Sequence, residues 1–120
     1  MTLAATSVDA AGAAPTRPAY NPVYTAVNAD GGIYWRSTTN WNSPIQRPGW
    51  GFYNGDQISL SCYQFGDPFP SPQNPLWYSA VNLSRWDDAS GNFQSGWIND
   101  HFLNTPGTAA QPEPIGLPCG

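Results

Sequence analysis

All the aromatic side chains of this 120-residue chain, six Trp, six Tyr and five Phe, fall between Tyr20 and Phe102. That confinement decides what can fold. Residues 2–18 are Ala, Thr, Ser, Gly and Pro with almost no large apolar group, and the stretch after 104 is again Pro, Gly, Thr and Ala. Neither end buries enough surface to offset the entropy of ordering it. The length supports one domain. The reading is therefore an extended N-terminal arm over 1–19, a folded unit over 20–104 and a Pro-rich C-terminal tail over 105–120. Each large ring buries on the order of 150–250 Å², which lets a unit of this size reach stability with few aliphatic residues.

Within the folded unit the pattern is that of short strands and turns, so the expected class is all-β with long loops. Residues 20–27 read as an edge strand that tolerates Pro22. Asp30-Gly31-Gly32 is a turn, and Ile33 and Trp35 alternate with Tyr34 and Arg36 as in a half-buried strand. Residues 38–51 carry Trp41, Pro44, Pro48 and Trp50 without periodicity and read as a loop. Asn54-Gly55 signals a tight turn. Ile58, Leu60 and Cys62 then alternate with polar residues, which places Cys62 inward. Residues 66–75 hold four prolines and read as a stiff loop. Strands are expected over 76–83 and 95–98, joined by a polar hairpin loop at 87–95. Asp100 caps a single helical turn stopped by Pro106. The expected core is Ile33, Trp35, Ile58, Leu60 and Ile98.

Charge excludes several partners. The chain has no lysine; Arg17, Arg36, Arg47 and Arg85 face eight carboxylates, for a net charge of −4. Four scattered arginines on an acidic chain track phosphates poorly, so no nucleic acid is expected, nor an anionic membrane surface. No apolar run approaches the roughly 20 residues of a spanning helix. The start, from Met1 to Thr6, lacks the basic and hydrophobic regions of a complete signal peptide. Cys62 and Cys119 fit one disulfide tying the tail onto the domain. The alternative is two unpaired thiols, one buried and one loose, but a free cysteine on an otherwise idle tail has no evident purpose. A bridge contributes roughly 4 kcal/mol by loop entropy and implies an oxidising, extracellular setting.

Four pieces taken in order carry a family resemblance: Ile33-Tyr34-Trp35-Arg36-Ser37, then Gly55-Asp56 leading into Ile58-Ser59-Leu60, then Trp77-Tyr78, and last Gly96-Trp97-Ile98 with Phe102-Leu103. Together, over about residues 23–105, they resemble the bacterial SH3-type barrel, SH3b. With Cys62 and a cysteine near the C-terminus, the chain is also similar to SH3-like domains of secreted actinobacterial proteins. The resemblance implies a small SH3-like β-barrel that binds rather than catalyses, chiefly on cell-wall peptides. The loops after Cys62 and after Leu83 are long for the family and could rebuild its groove.

No catalytic set is expected. His101 is the only histidine, adjacent Asp100 points poorly for a triad, and no nucleophile-elbow motif is present. Asp87, Asp88 and Asn92 lack the alternating acidic pattern of a Ca²⁺ loop, so neither a metal nor another cofactor is expected. Arg36 reads as structural, stacking or pairing with Asp56. Asn82-Leu83-Ser84 matches a glycosylation sequon, which is expected to carry no meaning given the bacterial origin that the resemblance implies. The loop aromatics Trp41, Trp50, Phe69, Trp86 and Phe93 suit either a satellite core or exposed platforms for sugars, prolines or a partner. Tyr34, Trp50, Tyr78 and Trp97 are the expected ligand-binding residues. The expected function is a secreted, non-catalytic module recognising a cell-wall polymer or peptide. Two alternatives stand beside it. One is a structural subunit of an extracellular or viral (phage) assembly, a homo-oligomer joined through its arms. The other is a small secreted inhibitor presenting residues 65–75 to a protease.

Overall fold

The computed structural model describes residues 21–70 and 73–120; the expected arm over 1–19 lies outside them. Five strands form one sheet: β1 (Val23–Thr25), β2 (Gln57–Pro70), β3 (Gln73–Asp87), β4 (Asn92–Asn99) and β5 (Leu117–Pro118). The path β1-β2-β3-β4 is antiparallel, and β5 lies parallel to β2 on the edge that β1 also uses. The sheet curls into a half-barrel, as the all-β expectation required. Isolated bridges span its open side: Ile33 with Phe52, Arg36 with Trp97 and Ala26 with Leu103. Residues 33–36 thus make single pairs with different partners rather than the continuous strand their alternation predicts.

Gly96 explains how the seam closes. The backbone of Arg36 exchanges hydrogen bonds with Trp97 at 3.1 and 2.8 Å. A Cβ on Gly96 would stand 3.0 Å from both the Arg36 carbonyl and the Trp35 Cβ. Only a residue without a side chain lets the two backbones approach so closely.

The inward face buries Trp35, Phe52, Ile58, Leu60, Leu76, Tyr78, Ala80, Ile98, Phe102 and Leu103. Of the expected core only Ile33 stays half-buried, packed against this cluster. Trp41 and Phe69 pack onto the main core through Phe102 rather than forming a separate satellite, and Trp41 also lies 4.7 Å from Trp77 and 6.1 Å from Phe69, ring centre to ring centre. This covers the outer face of β3, so Trp77 is buried as well.

The proline-rich segment is not a loop. β2 continues to Pro70, and β3 starts at Gln73. Pro68 and Pro75 fall within a register shift between Phe65 and Phe69, where the ladder makes no demand on their missing N–H. The hairpin end bends onto residues 39–41, with the Asp67 amide donating to Thr39 O at 3.0 Å and the Trp41 indole to Pro68 O at 2.9 Å. The last turn is a short 3₁₀ helix, Asp100–Phe102, capped by the Asn99 side chain rather than by Asp100.

A second register shift, between Leu60 and Cys62, changes the phase of β2. It moves Cys62 off the inward face and brings Tyr63 onto it, opposite Tyr78 and packed on the core. The inward placement expected for Cys62 fails for this reason. Cys62 instead meets Cys119 in a disulfide, with the Cα atoms 5.0 Å apart. The tail is thereby held over the domain: the Cys119 amide donates to Tyr63 O at 2.8 Å, and the Ile115 amide to the Tyr78 hydroxyl at 2.9 Å. Burial pushes the Tyr78 phenol well above its ordinary pKa, so it stays neutral as this latch. The double variant C62S/C119S is expected to lose up to about 4 kcal/mol, and Y78F about 1 kcal/mol. Urea unfolding at neutral pH checks both; an unchanged Y78F midpoint would count against the latch.

Candidate binding grooves around Trp50

Trp50 is set by its neighbours on both sides. Its amide closes a turn onto Arg47 O at 3.0 Å. Gln94 on β4, buried, then clamps the same loop: its Oε1 accepts from Gly51 N at 3.0 Å and its Nε2 donates to Gly49 O at 2.8 Å. The Arg47 guanidinium stacks over the Trp50 ring at 4.4 Å, a cation–π contact. The pair forms a ridge with a groove on each side.

The first groove, of about 500 Å³, is lined by Tyr34, Gln46, Arg47, Trp50 and Tyr53, with glycines at its base. Gly32 is one of them. It has φ +91°, and a Cβ there would stand 2.5 Å from the Tyr53 ring. Tyr53 is held in turn by a buried polar cluster. Asp56 accepts from Tyr53 N at 3.0 Å, Asn82 Nδ2 at 3.0 Å and Arg85 Nε at 2.7 Å, and Arg85 lies over the Tyr53 ring at 4.2 Å. The second groove, of about 540 Å³, runs over the outer face of the sheet. Ser61, Ser79 and Ser95 from β2, β3 and β4 line it with Ile45, Trp50 and Trp97, and Arg36 and Arg47 supply its charge. Those three hydroxyls bond to no group among the described residues.

Three of the four expected ligand residues therefore gather around one ridge. Tyr34, 49% exposed, lines the first groove, Trp97 the second, and Trp50 both. Tyr78 does not join them. It is fully buried at the centre of the core and serves the tail latch. Sequence reasoning missed Arg47, Tyr53 and Gln94. Arg47-Pro48-Gly49-Trp50 carries a stacking signal, a turn that returns a ring beneath a cation; nothing local marks Gln94.

Of its two expected structural roles, Arg36 takes the stack and not the pair with Asp56. It donates to Tyr34 O at 2.7 Å and lies 5.3 Å over Trp41, while Asp56 pairs with Arg85. His101 stacks on Phe69 at 3.8 Å, and the adjacent Asp100 carboxylate is engaged by Asn74 and Thr105 instead. Among the described residues no three His, Cys, Asp or Glu side chains gather to hold a metal. The sequon residue Asn82 is fully buried, out of reach of glycosylation.

Burial alone would raise the Asp56 pKa, but the hydrogen bonds from Asn82, Arg85 and the Tyr53 amide outweigh it and hold the carboxyl below its ordinary 3.8. The stability this group contributes is present above that ordinary value and is lost as pH falls through the depressed folded value. The stability gap between the wild type and D56N is thus expected to narrow below about pH 4. Urea midpoints between pH 2 and 7 give the measurement (roughly the span of the carboxylate titrations); a gap constant across that range would refute the assignment.

No family model matches the chain, and neither a curated protein nor a solved structure matches it.

Proposed function

We propose that this protein is a non-catalytic binding module that docks on an extracellular polymer along the two grooves beside Trp50. The observation that carries the reading is the shared Arg47–Trp50 ridge, with Tyr34 and Tyr53 on one side and Trp97 over a serine floor on the other. Flat rings beside hydroxyls suit sugar faces and their edges alike. The disulfide, with no helix among the described residues long and apolar enough to cross a membrane, supports secretion. The SH3b resemblance agrees with a recognition role and makes a bacterial cell wall the first polymer to try.

Retention on purified cell walls tests the reading. Wild type is expected to sediment with the walls. Y34A, which removes an exposed ring, and W50A are expected to wash off on the order of tenfold more readily, consistent with one lost stacking contact. Equal behaviour of wild type and both variants would defeat it.

A second reading has its own observation. Trp86 and Phe93 form an exposed cross-strand pair, ring centres 5.1 Å apart, at the far end of the β3–β4 hairpin. Such a pair suits a subunit contact in an assembly. Light scattering over a concentration series decides: a discrete oligomer that W86S dissolves supports the assembly, and a monomer throughout removes it.

A further inference from the structure

We propose that the paired grooves take an acidic polysaccharide, a glycan chain whose carboxylates meet Arg47 and Arg36. This rests on the reading of the grooves as a polymer site. Three observations carry it.

Charge is segregated in a way the composition does not require. The chain has eight carboxylates against four arginines, yet among the described residues no Asp or Glu lines either groove. Arg47 lines both and Arg36 the second. Among the described residues the lining of both grooves carries only positive charge, on a protein whose net charge is negative, and Asp87, outside the lining, meets it only as the ion-pair partner of Arg47.

Arg47 is also underused by the fold. Its side chain is about half exposed (46%), and its one ion pair among the described residues, with Asp87, is a single contact at 3.5 Å. Hydrogen bonding from Ser90 and the nearby Arg47 hold the Asp87 carboxyl below its usual range, so that partner is ionised. A guanidinium with most of its donors free matches a carboxylate bidentately, and the stack on Trp50 fixes its plane.

The floor favours a glycan over a peptide. It is the face of the sheet, where β2, β3 and β4 are already hydrogen-bonded to one another. Strand addition by a peptide needs an unpaired edge, which this face does not offer. It offers Ser61, Ser79 and Ser95 hydroxyls instead, each able to donate and accept, flanked by Trp50 and Trp97.

Calorimetric titration of the full chain tests this with three probes: polygalacturonate, the same polymer with its carboxyls reduced to alcohols, and poly-L-glutamate. Polygalacturonate is expected to bind, and its reduced form at least about tenfold more weakly, as befits the loss of the charge-assisted pairs with Arg47 and Arg36. R47Q should lose a similar factor and R47K part of it. D87N removes the competing carboxylate and should tighten binding roughly two- to fivefold, a gain that misfolding does not mimic. Equal binding of the reduced polymer, or no change in R47Q and D87N, overturns the inference. So does preference for poly-L-glutamate, which would make the ligand an acidic peptide. If polygalacturonate fails while cell walls still retain the protein through Tyr34 and Trp50, the acidic glycan falls and the polymer reading stands. If walls fail too, both fall.

Discussion

One extra residue in β2 governs much of this structure. Alternation carries Ile58 and Leu60 inward; the shift after Leu60 then reverses the phase. Tyr63 turns to the core and packs opposite Tyr78, while Cys62 turns to the outside of the edge. Without that slip the cysteine would be sealed among apolar side chains, out of reach of Cys119. Ser61, at the slip, joins the floor of the second groove. A bulge is a small irregularity in a ladder, but it re-aims everything downstream of it. Here it produces both the clasp for the tail and part of the binding face.

The rest of the stability comes from economy with few aliphatic residues. Rings pass contacts along a chain from Trp35 to Phe52, Phe102, Phe69 and Trp41. Between them lie buried amides and carboxylates that are fully engaged. Asn74 donates to Asp100 and accepts from the Leu76 amide, and Asn99 donates to Asn74 O. Asn82 and Arg85 serve Asp56 in the same way. Such networks are costly when incomplete and specific when complete. They fix the turns from which the groove walls rise, so the same interactions that hold the fold position Tyr53 and Trp50.

The legible part of the fold was the part written in short-range signals. Alternation located β2 through Leu60 and four residues that are buried in the core, Trp35, Ile58, Leu60 and Ile98, while the seam at Gly96 showed only once its partner Arg36 was in place. The disulfide followed from counting two cysteines. What was not legible depended on partners distant in sequence. The prolines at 68 and 75 look like loop residues until a register shift removes the need for their N–H groups. Tyr78 looks like a groove tyrosine until a tail that is 37 residues away closes over it. Gln94 clamps Gly49 and Gly51 across 45 and 43 residues, and no local pattern announces such a contact. The aromatic platform was found where the rings sat on loops; its arginine and its serine floor needed the sheet.

The two end strands lie in line on one edge of β2. β1 pairs with Gln57 to Ser59, and β5 takes over at Cys62 and Tyr63. Val23 and Leu117 thus face positions three residues apart, about 10 Å along a strand. The described chain leaves the sheet opposite Tyr63, four positions along β2 from Ser59, which faces Val23, and the Cys62–Cys119 bond closes β2 from Cys62 onward, β3, β4 and β5 into a covalent ring. A domain built this way can be spliced into a surface loop of another protein without stretching either, because host and guest need only a narrow gap between their joints.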